Sequence, residues 1–73
     1  MTGPVTLGGL LRQKKKDYGF EHINDMAAAI GIDEGYLYRL LRSNRPRLST
    51  ETKYRLCLAL DIAPRVMEEV VGR

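Results

Sequence analysis

Half of the basic residues of this 73-residue chain lie between positions 39 and 55, where one acidic residue accompanies six Lys and Arg residues. Residues 1–38 carry four basic against five acidic side chains, and residues 56–73 carry two against three, so the net charge is positive only in this segment. An arginine fork can bind a phosphate or donate two parallel hydrogen bonds to guanine. The segment thus indicates a nucleic-acid partner, with a solvated basic loop as the alternative.

The residues that lead into this basic segment have the spacing of two short helices joined by a tight turn. The apolar or small positions are Ile23, Met26, Ala27, Ile30, Gly31, Ile32, Leu37 and Leu40. The helical phase breaks at Gly31, which suits the left-handed conformation that ends a helix, and Asp33 can cap the next helix. Ala27 is small enough for two helices to cross closely. We therefore predict a helix-turn-helix over residues 21–42.

The rest of the chain also has helical periodicity, without an alternating strand pattern or a hairpin turn. We predict an all-α fold, a compact bundle of about five short helices. Gly8 and Gly9 should weaken the start of the first helix, and Pro46 should break the chain before the fourth. The predicted helices run from about Val5 to Asp17, Glu21 to Ile30 and Glu34 to Leu41, followed by a fourth that Ser49 caps and a fifth that begins at Pro64.

Length and composition indicate one small domain over residues 1–73. Apolar residues make up 44% of the chain and charged residues 29%, which is typical of a globular protein. No apolar run approaches the length of a membrane span, and residues 1–5 lack the basic and apolar parts of a secretory signal. We therefore expect a cytoplasmic, nucleoid-associated protein that does not contact membranes.

The sequence contains no pattern that indicates catalysis. It lacks a Gly-rich phosphate loop and a recognisable nucleophile–base pair, so we expect no enzymatic activity. Cys57 is the single cysteine and His22 the single histidine, so we expect neither a metal ion nor a cofactor. The interpretation favoured for Cys57 is a small apolar core residue.

Residues 7–67 resemble the lambda-repressor-like superfamily of DNA-binding domains. Leu7-Gly8 with Leu11-Arg12 and Lys15 resembles the first helix of Cro and phage-repressor (Xre-type) domains. The segments that resemble the headpiece of lac-repressor-type regulators are Ile23 to Ala27, Gly31-Ile32, Leu37 to Leu41, Leu48-Ser49 and Thr52 to Leu56. The chain departs from these families in a longer loop before Leu48 and in Ile23, where Xre-type domains often have a glutamine that holds a phosphate.

The resemblance implies which residues would contact DNA. The base-reading positions correspond to Glu34, Gly35 and Arg39, with Tyr38 beside them. Arg39 suits guanine, whereas Glu34 could accept a hydrogen bond from cytosine or only cap the helix. Tyr36 could either contact DNA or pack against the core, and Tyr18 and Tyr54 are expected at the core edge. The expected phosphate contacts are Tyr36, Arg42, Asn44, Arg45, Arg47 and Lys53.

These observations predict a sequence-specific binder of double-stranded DNA, a small transcriptional repressor or regulator. The resemblance implies that it is of bacterial, phage or plasmid type. Because one recognition helix covers few base pairs, we expect a homodimer on a palindromic operator. The stripe Val66, Met67, Val70 and Val71 within residues 64–71 could form the two-fold interface or pack into the core. The rival function is a protein-interaction module such as an antitoxin or accessory subunit, and RNA binding is the third.

Overall fold

The computed structural model describes residues 6–43 and 46–71, and the regular structure in this part of the chain is entirely α-helical. The prediction of an all-α fold with five short helices is confirmed. The helices are α1 (Leu7–Tyr18), α2 (Ile23–Ile30), α3 (Glu34–Arg42), α4 (Thr50–Leu60) and α5 (Pro64–Val70). Among the described residues, no helix is long and apolar enough to cross a membrane.

Local capping explains where these helices begin and end. The hydroxyl of Thr6 accepts from the amide of Gly9, so α1 begins at Leu7, whereas the predicted start at Val5 lies outside the described residues. The second helix begins at Ile23, two residues later than predicted, because His22 is still extended. Ser49 caps α4 as predicted, with its hydroxyl 3.1 Å from the amide of Thr52.

One continuous apolar core joins the five helices. The α3 helix packs against both α1 and α2, and α4 packs against α2 and α5. The largest completely buried side chains include residues from every helix. They are Leu7, Leu11, Met26, Leu37, Leu56, Leu60, Met67 and Val70.

The α5 stripe packs into this core. Met67, Val70 and Val71 are 1%, 1% and 3% exposed in the single chain, so core packing is the use observed for these three residues, of the two that the sequence left open. The physical reason is that a short chain needs most of its apolar side chains inside. Val66 alone in the stripe reaches the surface, and its part in self-association stays a prediction.

Gly8 marks the closest approach of α1 to α3. A Cβ atom at this position would collide with the backbone carbonyl oxygen of Leu41. The glycine that weakens α1 as an isolated helix therefore lets the backbones of α1 and α3 come together. This close packing fixes α3 from the side opposite to solvent.

Two tyrosines expected at the core edge are instead exposed. Tyr54 lies on α4 with 63% of its surface exposed, and Leu58, one turn later, is 65% exposed. Tyr18 is 46% exposed and stacks on Phe20 with 6.1 Å between the ring centroids. Helix geometry explains their exposure, because the sides of α1 and α4 that face the core are filled by leucines.

Candidate nucleic-acid interface

The α3 helix presents one polar face to solvent. Leu37, Leu40 and Leu41 are buried on the opposite side, which directs the positions on the remaining side of the helix outward. The outward positions follow the spacing i, i+3, i+4, i+7, so they form a continuous strip along the helix. They are Gly35, Tyr38, Arg39 and Arg42, all exposed.

The start of α3 is held by a side-chain cap. The Oδ2 atom of Asp33 accepts from the amide of Gly35 at 2.9 Å and from that of Tyr36 at 3.4 Å. The predicted capping role of Asp33 is thus confirmed. A Cβ atom at position 35 would lie 3.0 Å from the same Asp33 oxygen, so a side chain there would press on the cap. The neighbouring Glu34 is exposed in the first turn, where the helix dipole stabilises its charge.

Arg39 lies beside the ring of Tyr36, one turn earlier. The central carbon of its guanidinium is 5.9 Å from the ring centroid, within the range of a cation–π contact. Tyr36 itself is half-buried and packs against the core. Packing is therefore the observed use of Tyr36, and its expected phosphate contact stays a prediction. The arrangement limits the freedom of the Arg39 side chain while leaving the residue exposed.

The remaining phosphate candidates differ in how available their charge is. Arg42 and Arg47 are exposed, on α3 and in the segment before α4. The Nζ atom of Lys53 lies 3.5 Å from Oε2 of Glu68 on α5, and its side chain is 28% exposed, so this positive charge is already partly balanced. Asn44 and Arg45 lie outside the described residues.

Arg55 makes a contact that sequence reasoning missed. Its Nη1 atom donates to the carbonyl oxygen of Gly31 at 3.3 Å, across 24 residues of chain. Its Nη2 and Nε atoms donate to Oε2 of Glu51 at 2.8 and 3.3 Å. The spacing of Glu51 and Arg55 reveals the ion pair, but no local signal indicates the bond to Gly31.

A groove of about 390 Å³ between α4 and α5 is separate from the α3 strip. Cys57 is half-buried in its wall, and burial raises the pKa of the thiol while the nearby Lys53 cation partly offsets this rise. A raised pKa keeps the thiol protonated at neutral pH, which makes it a poor nucleophile. The groove is lined by Thr50, Lys53, Tyr54, Cys57, Pro64, Met67 and Glu68.

Comparisons with models of protein families, with curated proteins and with solved structures found no match for this chain. Evidence for function therefore comes from the arrangement of its own residues. The feature with the clearest chemical meaning is the strip on α3, where two arginines and a tyrosine share one exposed face.

Proposed function

We propose that this protein binds double-stranded DNA in a sequence-specific manner and acts as a small transcription regulator. The observation that supports this proposal is the exposed strip of α3, with Tyr38, Arg39 and Arg42 on one face and leucines on the other. A major groove about 12 Å wide admits one α-helix. In this proposal α2 and α3 are the helix-turn-helix, and α3 is the recognition helix.

Each residue of the strip has a distinct role in the proposed complex. Arg39 donates two hydrogen bonds to a guanine, and Tyr38 packs against a thymine methyl group. Gly35 adds no side chain, so the helix backbone can lie close to the base edges there. Arg42, with Arg47 from the following segment, binds phosphates and fixes the register of the helix on the duplex.

Two copies acting together would supply the specificity that a regulator needs. The Cα atoms of the chain span 29 Å in the longest direction, and half-sites one helical turn apart are separated by about 34 Å. Two copies on adjacent half-sites are therefore close enough to touch once side chains are included. We propose a homodimer on a palindromic operator, acting on chromosomal DNA in the cytoplasm.

The experiment that tests this function is selection of bound sequences from a random duplex pool. The proposal predicts an enriched palindrome with half-sites centred about 10 base pairs apart. A matched selection with Arg39→Ala should lose the guanine that this residue reads while retaining weaker general binding. No enrichment with the wild-type chain would contradict the proposal.

The second candidate function is a protein-interaction module, and a specific observation favours it. Tyr54 and Leu58 lie one helical turn apart on α4 and are 63% and 65% exposed. Exposed apolar residues of this size are typical of protein contact surfaces when they form a patch. The duplex selection separates the two functions, since an interaction module would enrich no sequence.

A further inference from the structure

Arg55 reaches the point where the chain leaves α2. Gly31 ends α2 in the left-handed conformation with φ +89°, and its amide donates to the carbonyl of Ala27 at 2.8 Å. The next amide, of Ile32, donates to the same carbonyl at 3.1 Å. The Gly31 carbonyl that accepts from Arg55 therefore belongs to the first residue of the turn into α3.

The guanidinium of Arg55 is held on both sides. Glu51 accepts two of its hydrogen bonds and lies in the first turn of α4, where the helix dipole stabilises an acidic side chain. The other side of the guanidinium contacts the Gly31 carbonyl. Glu51 thus anchors Arg55 on α4, and Arg55 links α4 to the α2–α3 turn.

No side chain of α2 itself stabilises its C-terminal end. The helix has eight residues and no basic residue in its last turn, so its own stabilisation there comes from the backbone hydrogen bonds to the Ala27 carbonyl. Carbonyl groups at a helix C-terminus carry partial negative charge, which a nearby cation stabilises. Arg55 supplies that cation from another helix.

The short connection makes this contact important for α3. Only residues 31–33 separate α2 from α3, and the last of them, Asp33, caps α3. With Gly31 held by Arg55 and Asp33 held by its cap, the turn has little freedom.

We infer that Arg55 is a positioning residue that clamps the α2–α3 turn and sets the orientation of α3 on DNA, without contacting DNA itself. This inference rests on the proposed function. Hydrogen bonds to base edges tolerate only small displacements, whereas attraction to phosphates falls slowly with distance. Loosening the turn should therefore reduce sequence discrimination more than general affinity.

The test compares Arg55→Met and Glu51→Gln with Arg65→Met, which removes an exposed charge on α5. In the free protein, the Ile32 amide should exchange its hydrogen about twofold to fivefold faster in the first two variants, as expected from loss of an exposed ion pair. The ratio of affinities for the selected and a scrambled duplex should fall about fivefold or more in Arg55→Met. The slope of log affinity against log salt concentration should be that of the wild type in both Arg55→Met and Glu51→Gln. Arg65→Met should leave the Ile32 exchange and the sequence discrimination unchanged.

The salt slope of Arg55→Met decides whether Arg55 itself binds phosphate. If Arg55 positions the turn, Glu51→Gln lowers discrimination although every positive charge remains. A shallower salt slope in Arg55→Met would show a phosphate contact and overturn the inference. Unchanged Ile32 exchange, or faster exchange with unchanged discrimination, would also overturn it. If the Ile32 amide exchanges faster in Arg55→Met and Glu51→Gln but the wild-type protein prefers no duplex sequence, the result would support the clamp and contradict the proposed function.

Discussion

At the scale of single residues, the proposed function depends most on Arg39. Its place between the buried Leu37 and Leu40 directs it outward, and the half-buried ring of Tyr36 lies 5.9 Å from its guanidinium carbon. The hydroxyl of Ser43 donates to the backbone carbonyl of Arg39 at 2.9 Å, which reinforces the last turn of α3. A side chain with fewer accessible rotamers loses less entropy when it binds.

We expect Arg39→Ala to cost about 1–3 kcal/mol in affinity for the selected duplex and to change affinity for a scrambled duplex little. The free energy of unfolding should change by less than about 1 kcal/mol, because only an exposed cation–π contact is lost. Titrations with both duplexes and thermal unfolding measure these changes. Arg39→Lys is the matched control, since it keeps the charge but not the planar fork, and it should lose most of the discrimination. An Arg39→Ala protein with the wild-type affinity ratio would show that Arg39 reads no base.

At the scale of helices, the contact of α1 with α3 supports the strip from behind. The Cα of Gly8 lies so close to the Leu41 carbonyl that a methyl group cannot fit between the two backbones. Because Leu41 belongs to the last turn of α3, a change at Gly8 would displace the end of α3 that carries Arg42.

Gly8→Ala should lower the free energy of unfolding by about 1–3 kcal/mol, the usual cost of overpacking. Its neighbour Gly9 is the control, because Gly9→Ala should gain up to about 1 kcal/mol of helix propensity at a partly exposed position. Urea unfolding of both variants gives the comparison. A stabilised Gly8→Ala variant would contradict the close packing of α1 on α3.

The same helices show which features can be predicted from sequence. Gly31 and Asp33 act within their own turn, so their residue types alone predicted the end of α2 and the cap of α3. The importance of Gly8 depends on the backbone of Leu41, 33 residues away, whereas helix propensity indicated only a weakened start of α1. The contact from Arg55 to Gly31 likewise depends on how α4 packs on α2. For Met67, apolar spacing indicated a buried face but could not say whether the same chain or a second copy covers it.

At the scale of the whole molecule, the positive charge of the basic segment is divided between residues in ion pairs and residues outside them. Formal net charge is +3, and the segment from 39 to 55 is the main source of net positive charge. Ion pairs engage Lys53 and Arg55 on α4, whereas no ion pair within the described residues engages Arg39, Arg42 or Arg47, which are exposed on α3 and just before α4. Within the described part of this segment, the charge available to a phosphate backbone therefore lies on and beside the strip.

This division predicts unequal effects on salt dependence. Arg42→Gln and Arg47→Gln should each reduce the slope of log affinity against log salt by about 0.9, the value for one phosphate contact. Lys53→Gln should reduce it less, because Glu68 already lies beside the Lys53 ammonium. Titrations of a scrambled duplex at several salt concentrations measure the slopes. Equal effects of all three substitutions would contradict the division.

In the proposed complex, the solvent face of α3 is the surface that meets DNA. Amide chemical-shift mapping of the isotope-labelled chain with its selected duplex locates this surface. We expect the largest saturable changes at Gly35, Tyr38, Arg39 and Arg42, with small changes along the α4–α5 groove. Changes centred on Tyr54 and Leu58, or none that saturate with the duplex, would contradict it.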